Sequence, residues 1–224
     1  MVSTAFEGRN QYRTVYQTSK KESRCTSLIA YDLDALTADC YDGTACLINK
    51  FDIHDNAKLA GIEAAITFTK AAELDHSPIE GSFDFEHYKS VHRYLFEDIY
   101  DWAGTIRTVD VSKKGTVFVL AKDIEKIANT GFICLKAEHF FKNYTFNAFC
   151  DAIVDFYCVT NMPHPFREGN GRTQRVFISQ LIRYAGYDID FSGIDSDELM
   201  IATIQVANGV RDNLLNLFRQ NLSE

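Results

Sequence analysis

Apolar side chains recur at the spacing of an α-helix over most of the chain after residue 55. The first predicted helix has Asp55 as its N-cap and runs to about Leu74. The same spacing predicts helices over 83–102, 122–129, 146–162, 173–184 and 196–208, and a last helix that ends at about residue 222. It also predicts a further apolar stretch at 132–141. The pattern therefore predicts a mainly α-helical fold.

Two β-branched runs interrupt the helical pattern. They cover 105–111 and 116–119, and the intervening Ser112-Lys113-Lys114-Gly115 is a turn signal, so we expect one β-hairpin. The first forty residues are rich in Ser, Thr and charged positions and show little periodicity. Residues 1–40 are therefore predicted to be a variable N-terminal extension, and residues 41–224 the folded domain.

The segment 164–175, His-Pro-Phe-Arg-Glu-Gly-Asn-Gly-Arg-Thr-Gln-Arg, concentrates the candidate chemistry of the chain. Pro163 and Pro165 end the preceding helix and are expected to hold His164 in an extended conformation. The glycines on either side of Asn170 allow positive φ angles, so that several backbone N–H groups turn toward one point. Because the next predicted helix follows directly, we expect an anion site with phosphate as its natural ligand.

Charged side chains in the same segment complete the predicted site. Arg172 and Arg175 are three residues apart in the first helical turn and are expected to reach the ligand together. Positive charge at that end of a helix opposes the helix dipole, which favours a bound anion. His164, with an ordinary pKa near 6.5, is a candidate general base, and Glu168 is a candidate carboxylate ligand. These side chains are the ones needed to hold a magnesium-bound triphosphate and to activate a hydroxyl group against it.

The segment resembles the signature of Fic-domain proteins, His-x-Phe-x-(Asp/Glu)-Gly-Asn-Gly-Arg-x-x-Arg, at every specified position. Residues 92–104 and 106–109 are similar to the family's helix leading into its flap, and the similarity extends from about residue 41 to about residue 219. The resemblance implies the Fic fold, a helical bundle with a single β-hairpin flap. It also implies a protein adenylyltransferase, which transfers AMP from ATP to a protein hydroxyl group and releases pyrophosphate.

The resemblance also implies a role for each motif residue. His164 is implied to be the general base that takes the proton from the target hydroxyl, and Glu168 to hold Mg²⁺. Phe166 is implied to point into the core and anchor the loop. The residues implied to bind the nucleotide are Gly169, Asn170 and Gly171 in an anion hole, Arg172 on the phosphate chain and Arg175 on the γ-phosphate.

The residue after Asn170 distinguishes two chemistries within the family. Members that phosphorylate their target resemble the pattern with lysine at this position, whereas this chain has Gly171. The resemblance therefore favours nucleotidyl transfer over kinase chemistry. It leaves open the transfer of another nucleotide such as UMP, or of phosphocholine. A different class of function, a non-catalytic nucleotide-binding effector or interaction domain, is the alternative.

The predicted hairpin is the second functional element, and it corresponds to the flap in the resemblance. Its exposed edge is expected to pair with an extended segment of the target protein by strand addition, and an ordinary surface hairpin is the alternative. Val117 departs from the arginine or other polar residue expected before the flap phenylalanine. The residues expected to dock the target are Val109, Val111, Lys113, Gly115, Val117 and Phe118.

Two features of the sequence bear on regulation. Many Fic proteins carry an inhibitory helix with the pattern (Ser/Thr)-x-x-x-Glu-(Gly/Asn), whose glutamate pairs with the second motif arginine, and Ser3, Glu7 and Gly8 fit that pattern. The stretch 41–51 is similar instead to members whose inhibitory helix belongs to a separate small antitoxin protein. Our preferred interpretation is a toxin inhibited by such an antitoxin. The resemblance suggests type II topoisomerase subunits as the targets.

Composition limits the classes of partner. The formal net charge is −8, which argues against direct binding to DNA or RNA because nucleic-acid-binding surfaces are normally basic. No apolar run approaches membrane-spanning length, and the N-terminus lacks the layout of a secretory signal, so no membrane association is expected. The six cysteines show no paired metal-ligand spacing and are expected to be reduced thiols. We therefore expect a cytoplasmic location.

Overall fold

The structure is a computed structural model that describes residues 39–113, 116–207 and 209–224. Within these ranges the chain forms seven α-helices and two short pairs of antiparallel strands. The prediction of a mainly α-helical fold with one β-hairpin is confirmed. Most of the predicted N-terminal extension lies outside the described residues, so its boundary with the folded domain stays a prediction.

The elements are numbered along the chain. The helices are α1 (Asn56–His76), α2 (Phe85–Phe96), α3 (Ile124–Ala137), α4 (Phe146–Asn161), α5 (Asn170–Ala185), α6 (Ser196–Ala207) and α7 (Asp212–Asn221). Strand β1 (Ser112–Lys113) pairs with β2 (Thr116–Val117), and β3 (Asp188–Ile189) pairs with β4 (Leu222–Ser223). Short 3₁₀ turns occur at Ala121–Asp123, His139–Phe141 and Phe191–Gly193.

Aspartate side chains cap the first turns of α1 and α6. The Asp55 carboxylate accepts a hydrogen bond from the Lys58 N–H at 2.9 Å, and the Asp195 carboxylate accepts one from the Glu198 N–H at 2.9 Å. These bonds satisfy N–H groups that have no acceptor within the first helical turn. The predicted cap at Asp55 is therefore confirmed.

Helix α2 is shorter than predicted. It ends at Phe96, whereas the apolar spacing continues to residue 102. The apolar residues beyond the helix, Ile99 and Tyr100, are buried in a turn that folds back over the helix end. The prediction was wrong here because a buried turn and a buried helix show the same apolar content.

Helix α3 is longer than predicted, since it joins the separate stretches expected at 122–129 and 132–141. Gly131 lies in its middle. A Cβ atom at this position would lie 2.4 Å from Cγ1 of Val159 on α4, so glycine permits the close approach of the two helices. Gly131 is therefore a packing residue inside the helix.

The hairpin is also shorter than predicted. Its strands pair Ser112 with Val117 and Lys113 with Thr116, and the rest of the two β-branched runs is not strand. Those flanking segments are held by side-chain contacts, chiefly from Arg107, rather than by a ladder of backbone hydrogen bonds. The β3–β4 pair joins the segment after α5 to the C-terminus, and the sequence did not predict it.

The core lies between α2, α4 and α5 and contains many aromatic side chains. Phe166 of the motif loop is fully buried in it, with its ring centroid 5.7 Å from that of Tyr88 and 3.7 Å from that of His92. The loop is therefore fixed to the core at its centre. This is the position that the sequence predicts for Phe166.

The cysteines belong to the packing. The five in the described part of the chain are buried, and burial raises the pKa of Cys158 to about 12. A thiol in such surroundings behaves as a small apolar side chain. The described residues also include no helix that is both long enough and apolar enough to cross a membrane.

His92 on α2 is fully buried and links three segments. Its Nε2 lies 3.0 Å from the Glu168 carbonyl, its Nδ1 accepts a hydrogen bond from the Gly104 N–H at 2.8 Å, and its ring stacks on Phe166. These partners require the neutral tautomer with the proton on Nε2. Burial lowers the pKa of His92 to about 3, because a charged ring would lose its hydration.

We expect His92 to make stability fall as the pH is lowered. Between about pH 7 and pH 5 the unfolded histidine, with a pKa of about 6.5, takes up a proton that the buried ring does not, and this favours unfolding. At about pH 5 this effect lowers the free energy of unfolding by about 2 kcal/mol. Urea unfolding of the wild type and of His92→Gln, which does not titrate, measures it. An equal loss of unfolding free energy in both proteins would show that His92 is not the cause.

Candidate active site

The loop between α4 and α5 brings the predicted motif to one place. Helix α4 ends at Asn161, close to the predicted end, and α5 begins at Asn170 rather than at Thr173. The motif therefore consists of a loop followed by the first two turns of α5. Because the first N–H groups of a helix have no acceptor within it, the start of α5 is suited to an anion.

Gly169 forms the backbone turn from which α5 begins. Its φ is +79°, and a Cβ atom here would lie 2.1 Å from the Phe96 ring. Both the left-handed conformation and the contact with Phe96 require glycine. Gly171 was predicted to have a positive φ as well, and this was wrong, because Gly171 lies inside the first turn of the helix and takes helical angles.

Asn170 closes the loop on itself. Its side-chain oxygen accepts a hydrogen bond from the Phe166 N–H at 2.8 Å, and its side-chain nitrogen donates one to the Phe166 carbonyl at 2.8 Å. The side chain is buried, although the residue also borders the cavity described below. Its amide group therefore fixes the loop conformation, and what it presents to a ligand is the start of the helix.

His164 lies at the entrance of the loop. Its φ is +43°, so the predicted extended conformation was wrong: the loop turns sharply between the two flanking prolines. Its carbonyl accepts a hydrogen bond from Arg107 Nε at 2.8 Å. The imidazole stacks on Phe118 of the flap, with ring centroids 3.8 Å apart and an interplanar angle of 17°. The ring is therefore held at the boundary between the loop and the flap.

A cavity of about 380 Å³ lies beside this loop. One wall is formed by the motif and the flap, and the other by the C-terminal end of α4 and one face of α6. Its motif and flap residues include His164, Arg167, Glu168, Asn170, Gly171, Arg175, Val111, Ser112 and Phe118. Its α6 residues are Ser196, Asp197, Leu199, Met200, Thr203, Ile204 and Val206.

The two motif arginines occupy different environments. Arg172 does not border the cavity: its guanidinium is paired with the buried Glu63 of α1 and lies 3.3 Å from Glu168. It also donates to the Thr67 hydroxyl at 3.2 Å and lies over the Phe96 ring. The expectation that both arginines project together toward the ligand was therefore wrong, because carboxylates on both sides compensate the charge of Arg172.

Arg175 borders the cavity and is only partly exposed. No carboxylate in the described ranges forms an ion pair with it. Burial, followed by the nearby Arg172 charge, lowers the pKa of Arg175, and the Tyr157 phenol opposes this shift. The side chain therefore presents a largely uncompensated positive charge to the cavity.

Glu168 supplies the carboxylate of the motif. One oxygen accepts a hydrogen bond from the Gly169 N–H at 2.8 Å, and the side chain borders the cavity. The described residues contain no group of three or more His, Cys, Asp or Glu side chains that could enclose a metal ion. A single carboxylate suits Mg²⁺ only when other ligands arrive with it, as the phosphate oxygens of a nucleotide do.

The predicted flap residues fall into three groups. Val111 and Phe118 border the cavity. Val109 does not border it, and its carbonyl accepts a hydrogen bond from Arg107. Lys113 and Val117 belong to the two strands, and the structure describes their backbone only. Gly115 lies outside the described residues, as do Ser3, Glu7 and Gly8 of the candidate inhibitory motif.

Comparison with known proteins identifies the group to which this site belongs. A model of the Fic/DOC family matches residues 82–182. The probable protein adenylyltransferase y4lH of Sinorhizobium fredii is 37% identical over 171 residues, which covers 76% of this chain and 88% of that protein. The chain belongs to the Fic/DOC family.

Two further comparisons agree with this assignment. Protein adenylyltransferase VbhT of Bartonella schoenbuchensis is 38% identical over 181 residues, or 81% of this Fic/DOC chain, although the match spans 38% of VbhT's length. The BepC effector protein of Bartonella tribocorum, solved with bound AMPPNP, has a TM-score of 0.78 at 26% identity and covers 82% of this chain and 95% of its own. The predicted family, fold and enzyme class, a protein nucleotidyltransferase, are confirmed.

Sequence reasoning missed three residues that organise this Fic/DOC site. Glu63 holds Arg172, His92 supports the loop, and Arg107 joins the loop to the flap. Glu63 was overlooked because it follows Ile62 on a helix whose apolar spacing suggested only packing. A buried carboxylate is uncommon without a partner, so a glutamate within an apolar stripe was the available signal.

Proposed function

We propose that this Fic/DOC protein transfers AMP from magnesium-bound ATP to a hydroxyl side chain of another protein. The observation that supports this most is the charge of Arg175, which has no carboxylate partner among the described residues and shares a cavity with His164 and Glu168. The names of the relatives and the AMPPNP bound to BepC support a nucleotide as the missing anion.

In this proposal the nucleotide spans the cavity. The phosphates lie at the start of α5, where Gly171 leaves room and Arg175 binds the γ-phosphate. The part of the α6 wall that is formed by Leu199, Met200 and Ile204 is apolar and suits a nucleoside. Arg172 acts on the phosphates through its ion pair with Glu168, because its own charge is already compensated.

The reaction is a displacement at the α-phosphorus atom. His164 takes the proton from the target hydroxyl, whose oxygen forms a bond to the α-phosphorus while the bond to the bridging oxygen breaks. AMP remains on the target protein, and pyrophosphate leaves with the bond's electron pair. The imidazole must be neutral to accept this proton.

Glu168 is the side chain that would hold Mg²⁺. When bound, the ion supplies charge neutralisation for the phosphate oxygens. The carboxylate lies in the cavity beside Arg172, whose guanidinium fixes its orientation. One protein carboxylate with phosphate oxygens and water is a usual Mg²⁺ environment, so the residues present fit the ion.

The flap supplies the binding site for the target protein. An extended target segment would pair with the hairpin edge, and the stack of Phe118, which follows the second strand, on His164 supports this. The apolar Val117 indicates a docking surface less polar than the resemblance suggests. The target's hydroxyl residue, serine, threonine or tyrosine, then enters the cavity from the flap side.

We predict that labelled ATP will identify the chemistry. With cell lysate as the source of targets, label at the α-phosphate should appear on protein, and label at the γ-phosphate should not. His164→Ala should lower the rate at least about 100-fold, because it removes the general base, while binding of a non-hydrolysable ATP analogue is retained. The exposed His76→Ala is the matched control.

Other outcomes of this assay separate the alternatives. Label from the γ-position alone would indicate a kinase, and label from neither position would indicate a nucleotide-binding interaction domain. Competition by unlabelled UTP stronger than that by unlabelled ATP would indicate UMP transfer. Full activity of His164→Ala would contradict the role of His164.

We further propose that the protein is a cytoplasmic toxin inhibited by a separate small antitoxin. The similarity of residues 41–51 to such members supports this, and an inhibitory glutamate from the antitoxin would find an uncompensated partner in Arg175. The type II topoisomerase subunits named by the resemblance are the proposed targets. The alternative is inhibition by the chain's own Ser3, Glu7 and Gly8.

Substitution of Glu7 separates the two modes of inhibition. If a separate protein is the inhibitor, the purified Glu7→Gly variant should label lysate proteins at the wild-type rate, because the chain's own glutamate does not occupy the cavity. Glu22→Gly is the matched control in the same segment. A rise in rate that occurs in Glu7→Gly and not in Glu22→Gly would overturn the antitoxin proposal.

A further inference from the structure

Arg107 lies where the flap meets the motif loop, and its side chain is fully buried. Its backbone N–H donates a hydrogen bond to the Pro165 carbonyl at 2.8 Å. Its side chain donates to the same loop, from Nε to the His164 carbonyl at 2.8 Å and from Nη2 to the Pro163 carbonyl at 3.2 Å. Three consecutive carbonyls of the loop are thus bound by one residue.

The same guanidinium also binds both ends of the flap. Nη1 donates to the carbonyl of Val109, which precedes the hairpin, and Nη2 to the carbonyl of Val119, which follows it. The Val119 N–H in turn donates to the Met162 carbonyl at 3.3 Å. Arg107 therefore joins the two flanks of the hairpin to the loop that carries His164.

These contacts hold His164 in an unfavourable backbone conformation. A positive φ costs a non-glycine residue of the order of 1–2 kcal/mol, so surrounding contacts must maintain the +43° of His164. The bond from Arg107 fixes the His164 carbonyl. The bond to Val119 fixes the residue next to Phe118, and thereby the ring that stacks on the imidazole.

Only arginine can make this set of contacts. Its guanidinium presents donors on three nitrogens in one plane, whereas a lysine ammonium presents three donors at a single point. Burial lowers the pKa of Arg107 to about 10, and the carboxylate of Asp110, 4.0 Å away, opposes this shift, so the side chain stays charged at neutral pH. The carbonyl dipoles around it take the place of water.

We propose that Arg107 is a positioning residue that sets the imidazole of His164 against the flap, so that loop and flap move as one unit. It contacts neither the cavity nor, in the proposed reaction, any reacting atom. The catalytic consequence rests on the proposed function, since it requires His164 to be the base. The placement of the imidazole is a property of the structure that can be measured without a reaction.

The test uses the shielding of the His164 ring protons by the Phe118 ring. In the wild type these protons should resonate upfield of the usual position of histidine ring protons. In Phe118→Leu, which removes the aromatic ring, they should return to that position. Arg107→Lys keeps the positive charge but should move the His164 signals most of the way to their Phe118→Leu positions. Arg183→Lys, at a partly exposed arginine paired with Asp75 and Asp188, is the matched control and should leave them unchanged. Wild-type His164 signals in folded Arg107→Lys would overturn the proposal.

A second measurement needs no variant and decides the matter if Arg107→Lys does not fold. Amide hydrogen exchange of the wild type should give Arg107 and Val119 similar protection, within about tenfold, because their N–H groups are released in one opening event. Exchange of the Val119 amide more than about tenfold faster than that of Arg107 would show that the flap opens independently of the loop and would overturn the proposal.

Transfer assays then measure whether the position of the His164 imidazole affects activity. Arg107→Lys should lower the maximal rate of AMP transfer to lysate proteins, with the affinity for a non-hydrolysable ATP analogue changed by less than about threefold, because the phosphate site belongs to α5. An unchanged maximal rate would overturn the catalytic consequence. If the wild type transfers no AMP at all, the proposed function fails, while the ring-proton shifts and amide exchange still decide the role of Arg107.

Discussion

The left-handed turn at Gly169 is the constraint on which the rest of the site depends. It ends the motif loop and begins α5 within one residue, against the face of Phe96, where a side chain of any size would collide. The turn brings the Asn170 amide within reach of both backbone groups of Phe166, and those two hydrogen bonds close the loop. With the loop closed, Phe166 fills the core and the N-terminal end of α5 faces the cavity. The proposed anion site is thus formed by backbone geometry before any charged side chain is considered.

The charges around that turn are distributed unequally. Arg172 lies between two carboxylates, one buried on α1 and one in the loop, and its positive charge is compensated within the fold. Arg175, one turn of the helix away, faces the cavity without such a partner among the described residues. A desolvated and uncompensated guanidinium is unfavourable until an anion binds, so in the proposed function this charge contributes to the affinity for the nucleotide. In the proposed regulation, the inhibitory carboxylate binds the same charge.

Local sequence predicted most of the elements and the position of the site. The helical spacing located α1 and α4, the Asp55 cap located the start of α1, and the glycine-rich motif located the loop that borders the cavity. The predictions that were wrong concern residues whose conformation depends on contacts with residues far away in the sequence. The positive φ of His164 follows from its carbonyl bond to Arg107, and the orientation of Arg172 follows from Glu63, more than one hundred residues earlier. The long α3 depends on how Gly131 packs on α4. Such residues look ordinary in the sequence, because their partners are specified only by the fold.

The most direct test of this account is the affinity of the protein for nucleotides of different phosphate length. Calorimetry would compare a non-hydrolysable ATP analogue with AMP in the wild type, in Arg175→Ala, and in Arg183→Ala as a surface control. The account predicts that Arg175→Ala weakens binding of the ATP analogue by about 10- to 100-fold, as expected for loss of a charge-assisted hydrogen bond, and that AMP binding changes little. Unchanged affinity of Arg175→Ala for the ATP analogue would contradict it.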